Sequence, residues 1–302
     1  MALIRIQRLK YCMVHQLVNV VSSSLVRMTW RKVYLGTLSV TDRLFGKQSE
    51  MIPRICRWDG KNASELKATG EQFLNYFIDV CGVAPDARVL DIGCGIGRIA
   101  VPLTHYLTPL GSYEGLDIIP EAISWCSRKI TPKYPNFQFQ LADVANQNYN
   151  PKGAFRAAEY TFPYEDMSFD FVFLGSVFTH MLPQEVERYL SEIRRVLKAG
   201  GKSLSTYFLL TSKSLDRIEQ GGSTLSFTHS GRGFRSISDK VPEIAVAYEE
   251  SYIKSLYVKN RLVLIEPIKY GTWSHDFSDF EYQDFIVAYK LKDGSDGDLC
   301  PS

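Results

Sequence analysis

Three things are missing from this 302-residue chain, and each closes off a class of function. No stretch of eighteen apolar residues occurs, so no segment is expected to cross a bilayer as a helix. The six cysteines (Cys12, Cys56, Cys81, Cys94, Cys126, Cys300) include no C-x-x-C pair. That disfavours a zinc site and a disulfide framework and fits a reduced, cytoplasmic setting, with no metal expected. Charge of one sign is missing too: 35 basic residues face 33 acidic ones, a formal +2, so the chain has no global nucleic-acid signature.

One absence is local. Residues 1–41 hold no acid but six bases (Arg5, Arg8, Lys10, Arg27, Arg31, Lys32), leaving 29 basic against 33 acidic residues elsewhere, a formal −4. Apolar side chains at Ile4, Ile6, Leu9, Met13, Leu17, Val20 and Val21 recur at helical spacing, broken near Ser22–Ser24. Three readings of residues 1–45 stay open. They form a basic amphipathic helix for peripheral contact with an anionic membrane or a partner, a helix packed on the rest of the chain, or an acid-poor targeting segment. The expected division is a basic extension over 1–60, one domain over 61–292, and a polar, glycine-rich, disordered tail over 293–302.

What is present is concentrated in Val89–Ala100, VLDIGCGIGRIA. A β-branched run ends on Asp91 and turns through Gly93, Gly95 and Gly97, where a bare backbone lets a nucleoside approach. Asp117 closes the next apolar run, YEGLD, where a strand-terminal carboxylate can take both ribose hydroxyls. A dinucleotide fingerprint wants G-x-G-x-x-G. Here the third glycine comes one residue early and Arg98 stands in the last glycine's place, which disfavours a nicotinamide oxidoreductase.

Around this motif the pattern alternates. Strands are expected at Arg88–Ile92, Tyr113–Asp117, Phe137–Leu141, Phe169–Leu174, Ser203–Phe208 and Leu262–Ile265, with a last one at Phe285–Tyr289. Helices are expected at about Arg98–Leu107, Pro120–Lys129 and Pro183–Leu197, preceded by one that Gly82 stops. Pro102 inside the first of these should kink it or delay its start. Such alternation argues for a doubly wound parallel sheet with right-handed crossovers. The stretch 211–260 exceeds an ordinary loop and reads as a substrate cap, with a helix across Pro242–Val258.

The D-x-G-x-G-x-G motif resembles that of the class I S-adenosylmethionine (SAM) dependent methyltransferases. FQFQLAD (137–143), FDFVFLGSVFTHM (169–181), RRVLKAGGKSLSTYF (194–208) and QDFIVAYK (283–290) continue the likeness in order, from about Leu66 to Lys290. The resemblance implies a Rossmann-like seven-stranded mixed sheet whose last strand runs antiparallel beside the fifth. It implies SAM as cofactor and, through a GTW segment, a bacterial branch modifying small molecules or sugars. Asp143, with Val144 beside it, takes the place of an adenine contact, and Ile118 follows the ribose acid. The Gly175 and Ser176 backbones would line the cofactor, and a Thr69–Gly70 turn would lie near it.

Each assignment has a plainer reading. Asp91 favours the ammonium or sulfonium charge, or it caps the turn. Arg98 pairs with the cofactor carboxylate or with a nearby acid. His180, in the loop after the fourth strand, is the candidate general base, or a structural histidine bonded to a backbone carbonyl. His229 is a second base candidate, and His275 stands where some relatives have an arginine. Tyr270 and Trp273 wall the acceptor pocket or simply pack. The expected acceptor is an oxygen, or a nitrogen, on a small molecule, sugar or lipid-linked sugar. Nucleic acid is not expected, since no N-P-P-Y or D-P-P-Y follows the fourth strand. A non-catalytic binding subunit of the same fold is the remaining alternative.

Overall fold

The computed structural model describes residues 63–273 and 282–291. The expectations for residues 1–60 and 293–302 and for His275 lie outside these. The chain divides into two compact units, residues 1–72 and 73–302. Of the first, the described part is the start of helix α1 (Ala63–Asp79). Thr69 and Gly70 are interior residues of that helix, so the expected turn there is not formed. Good helix formers on both sides carry the helix through the single glycine. Helix α1 ends in the second unit, where Gly82 adopts φ 64° and its N–H donates to the Ile78 carbonyl at 3.2 Å.

The second unit is built on β1 (Arg88–Ile92), α2 (Ala100–Leu103), β2 (Ser112–Asp117), α3 (Pro120–Lys129), β3 (Phe137–Leu141), the short β4 (Val144–Ala145) and β5 (Phe155–Arg156), β6 (Phe169–Leu174), α4 (Pro183–Val196) and β7 (Leu197–Tyr207). There follow β8 (Leu209–Leu210), α5 (Ser212–Glu219), β9 (His229–Gly231), β10 (Phe234–Ser236), β11 (Val246–Glu249), α6 (Glu250–Lys259), β12 (Leu262–Lys269) and β13 (Asp284–Lys290). The main sheet has the order β12-β13-β7-β6-β1-β2-β3. β3, β2, β1, β6 and β7 are mutually parallel, and β13 lies antiparallel between β7 and β12. This is the seven-stranded mixed sheet, with its inserted antiparallel last strand, that the sequence implied.

The core explains the strand order. β1 is buried along all but its first residue, as a central parallel strand covered on both faces must be. Alternation along β6 divides the packing. Phe171 and Phe173 meet the rings of Phe77 and Phe73 at 4.8–5.2 Å. Val172 and Leu174 join the cluster holding Val186, Leu190 and Ile193 of α4 and Ile253, Leu256 and Tyr257 of α6. Glu192 of α4, 3% exposed, accepts from the Phe162 N–H at 2.9 Å, and Arg195 donates to the carbonyls of Phe162 and Tyr164. These bonds clamp the long β5–β6 connection onto the helix.

Three expectations need correction. The helix expected over Arg98–Leu107 is reduced to Ala100–Leu103, because Pro102 supplies no N–H and clashes with the preceding turn. The fifth strand begins at Leu197 rather than Ser203 and takes up the Gly200–Gly201 pair through a register shift against β6. The stretch 242–258 is a 3₁₀ turn (Pro242–Ile244), then β11, then α6, rather than one helix. Its Val-Ala-Tyr segment is a short continuous apolar run, buried throughout, as a covered strand is. β11 belongs to a second sheet, β8-β11-β10-β9, that forms most of the insertion after β7. Among the described residues no helix is long and apolar enough to cross a membrane.

Candidate functional site

The carboxyl ends of β1, β2, β6 and β7 and the insertion share one edge of the sheet, where ligands of open α/β sheets bind. The turn after β1 is held to β2: the Gly93 and Cys94 N–H groups donate to the Leu116 carbonyl at 2.7 and 3.2 Å. Gly93, Gly95 and Gly97 adopt φ of 78°, 53° and 75°, conformations that side chains resist. They differ in surroundings. A Cβ on Gly93 would overlap Val177 Cγ2, and one on Gly97 would meet Ile130 Cδ1 at 2.9 Å and Cys126 Sγ at 3.3 Å. A Cβ on Gly95 would meet nothing within 4 Å. Neighbouring side chains thus crowd the Cβ positions of the first and third glycines, whereas at Gly95 a side chain would meet none.

Asp117 reaches that same point. Its carboxylate, 6% exposed, accepts from the Gly95 N–H at 2.6 Å and from the Ile119 N–H at 2.9 Å. Burial pushes its pKa up to about 6, opposed by the backbone N–H bonds from Gly95, Ile119 and Ile118. Asp91 lies deeper, 1% exposed. Its Oδ2 accepts from the Tyr113 hydroxyl at 2.6 Å, while its Oδ1 is buried without a hydrogen-bond partner. Burial pushes Asp91 up to about 7, with the Tyr113 bond and the Arg98 charge opposing and the Asp117 charge adding. The Arg98 guanidinium sits 5.7 Å over the Phe73 ring and borders Gly175, its Nη2 3.6 Å from where a Cβ there would stand.

Further along the edge, Ile118 is half-buried, the Asp143 side chain is exposed, and Val144 is buried and pairs with Phe155. Ser176 has φ 60°, and its N–H donates to Thr206 Oγ1 at 2.7 Å. The Ser176 and Thr206 hydroxyls both donate to Gln283 Oε1, at 2.9 and 2.7 Å. Thr206 and Gln283 thus join the site from β7 and from just before β13. Sequence reading missed both, and no motif marks them.

His180 closes a 3₁₀ turn (Phe178–His180) beneath the insertion. Its Nδ1 is 2.9 Å from the Glu243 carbonyl, its Nε2 is 3.3 Å from the Tyr149 hydroxyl, and its own carbonyl accepts from Asn146 Nδ2 at 3.0 Å. A carbonyl can only accept, so Nδ1 carries the proton. In the neutral ring Nε2 is then the acceptor and Tyr149 the donor. The backbone-carbonyl contact expected of a structural histidine is present, and it also orients the nitrogen that a general base would use. His229 lies exposed on β9. Trp273 is fully buried against Phe208 and Phe227, with its Nε1 donating to Asp284 Oδ2 at 2.8 Å, and the Tyr270 hydroxyl donates to Glu250 at 2.8 Å. Among the described residues, no group of three histidines, cysteines or acids is placed to hold a metal.

Residues 90–205 match a family model described as a methyltransferase domain. A sterol 24-C-methyltransferase of Schizosaccharomyces pombe is 29% identical over 145 residues, 48% of this chain and 33% of its own length. A phosphoethanolamine N-methyltransferase of Arabidopsis thaliana is 23% identical over 222 residues, 72% of this chain and 41% of its own length. The chain thus spans well under half of these relatives. The crystal structure of a Pyrococcus horikoshii protein superposes with a TM-score of 0.52 at 18% identity, over 76% of this chain and 93% of that one.

Proposed function

We propose that this chain is a SAM-dependent methyltransferase that moves a methyl group to an oxygen or nitrogen of a small-molecule acceptor. Its fold is the Rossmann-like sheet of the class I methyltransferases, and the matched domain spans β1 to β7. The observation that carries the reading is the junction of Asp117 with Gly95: a buried carboxylate bonded to the one glycine of the turn at which a Cβ would meet no neighbour.

The residues fit the cofactor. The partnerless, buried Oδ1 of Asp91 lacks a donor, which the ammonium of the methionyl end would supply. Asp117 keeps acceptor capacity for a ribose hydroxyl. Arg98 offers its guanidinium to the methionyl carboxylate. Ile118, Asp143 and Val144 flank the adenine end, and Gly93, Gly97, Gly175 and Ser176 shape the backbone between. When bound, the cofactor supplies a methyl group on a sulfonium, an activated donor with a good leaving group.

What remains for the protein is alignment, exclusion of water and removal of one proton. Positioning of this kind can supply about 7–11 kcal/mol. His180 Nε2 is the proton acceptor, with its tautomer set by the Glu243 carbonyl. The relatives named above act, by their names, on a sterol carbon and a phosphoethanolamine nitrogen, so likeness does not choose the acceptor atom. A sugar acceptor rests on the resemblance and its GTW segment, and a lipid-linked acceptor and peripheral membrane contact through residues 1–45 rest on the basic amphipathic pattern.

Calorimetry with S-adenosylhomocysteine (SAH) tests the cofactor. The full chain should bind it, and Asp117→Ala should weaken binding by more than about tenfold, the scale of one lost charge-assisted bond. No binding by the unmodified chain would remove the cofactor reading. Equal affinity in the variant would remove the ribose assignment.

A further inference from the structure

The polar cluster around His180 contains more than a base, and its role as a site rests on the methyltransferase reading. We propose that it is the acceptor subsite and that it takes a protonated amine, making nitrogen the atom methylated. Two buried polar atoms on the segments that touch His180 have no hydrogen-bond partner: Oε2 of Glu243 and Nδ2 of Asn148. Glu243 is 6% exposed, and its main-chain carbonyl holds the His180 ring. Asn148 adjoins Tyr149, whose hydroxyl lies on the other ring nitrogen. The two atoms therefore belong to segments that bracket one imidazole.

Their chemistry is specific. A carboxylate oxygen only accepts, so Glu243 Oε2 lacks a donor, and its burial makes that lack costly. Glu185, half-buried nearby, has its pKa raised by burial first and also by the Glu243 charge, so the two acids repel. Arg156, the cation that acts on Glu185, is ion-paired with Glu159 at 3.3 Å on the surface. An ammonium supplies both the donor and the positive charge wanted at Glu243. A hydroxyl supplies only the donor. Asn148 Nδ2 needs an acceptor, which sets an oxygen on the same small molecule.

The step balances. The ammonium gives one proton to the Tyr149 hydroxyl oxygen as that hydroxyl passes its own proton to His180 Nε2, the nitrogen to which it already donates. The freed nitrogen lone pair bonds to the methyl carbon as the carbon–sulfur bond breaks. The products are a methylated ammonium, SAH and a His180 imidazolium that returns its proton to water.

The test uses the SAH-loaded full chain and reads histidine side-chain nitrogen resonances, with His180 assigned by the signal lost in His180→Gln. Methylammonium should shift the His180 signals saturably, and methanol should not. Glu243→Gln, which keeps shape but not charge, should weaken the methylammonium response about tenfold; unchanged SAH affinity would show that it is folded. Unmoved wild-type signals, an equal response to methanol, or an unweakened response in Glu243→Gln would overturn the amine subsite. Any of these leaves the cofactor reading standing, whereas failure of the wild-type chain to bind SAH would bring down both.

Discussion

Two buried aspartates stand on the same edge of the sheet and teach different things. Asp91 lies near the end of β1; Asp284 opens β13, which runs the other way and so begins at the edge where β7 ends. Burial pushes both up to about 7. Around Asp284 every donor is accounted for: Oδ2 accepts from the Leu209 N–H at 2.6 Å and Trp273 Nε1 at 2.8 Å, and Oδ1 from the Gly271 N–H at 2.7 Å. It clasps β8 and the chain after β12 to the sheet. Asp91 has a single hydroxyl on one oxygen and nothing on the other. Depth and proton affinity do not separate the two groups. The count of donors does, and it marks Asp91 as waiting for a ligand and Asp284 as part of the frame.

The widest gap between them should appear on truncation. Asp284→Ala leaves three buried N–H groups unpaired and should lower the unfolding free energy by about 3–5 kcal/mol. Urea denaturation measures this. The protein that remains folded should bind SAH as before. A stable Asp284→Ala that had lost SAH binding would reverse the assignment of the two roles.

A second test reads the charge state of Asp91 through pH. The folded-state pKa of Asp91, about 7, lies above the ordinary aspartate value of 3.8, so the folded chain holds this proton more tightly. Its contribution to stability is complete below about pH 4 and is lost as pH rises to about 7, at about 1.4 kcal/mol per pKa unit. Asp91→Asn removes that dependence. The variant should therefore gain on the wild type between pH 4 and pH 7 while binding SAH at least about tenfold more weakly at pH 8, having lost the charge that pairs the ammonium. A stability difference that is flat with pH would show that Asp91 is ionised throughout.

The Asp91 half of the edge was legible in the sequence, and the Asp284 half was not. β1, β3, β6 and α3 fall on the expected residues because each is an apolar run bounded by a glycine, proline or acid. Asp91, the three glycines and Asp117 form one local pattern, so the strand–turn–strand geometry follows from it. The other half depends on contacts between distant segments. His180 is oriented by a backbone carbonyl 63 residues away, and a carbonyl has no sequence signature. Gln283 meets Ser176 across 107 residues through side chains common on any surface. The apolar run of β11, Val246–Tyr248, is too short for periodicity to separate it from the helix that follows. The glycines share an even spacing, and what a Cβ would meet at each divides them.

That division yields the finest test. Gly93→Ala and Gly95→Ala place the same methyl group at two positive-φ positions two residues apart. Both should lose about 1–2 kcal/mol to the left-handed backbone. Gly93→Ala carries an added penalty of about 1–3 kcal/mol, because its methyl overlaps the stiff, β-branched Val177. Val177→Ala in the same chain should recover most of that excess, and the non-additivity of the pair measures the contact. Gly95→Ala has no neighbour to displace, so its cost should stop at the backbone term and Val177→Ala should not change it. In binding the order inverts. Gly95→Ala fills the open face beside Asp117 and should weaken SAH more than the Gly93→Ala, Val177→Ala pair does. If Gly95→Ala binds SAH like the wild type, the ligand does not pass that face, and the open space beside Gly95 is only a gap in the packing.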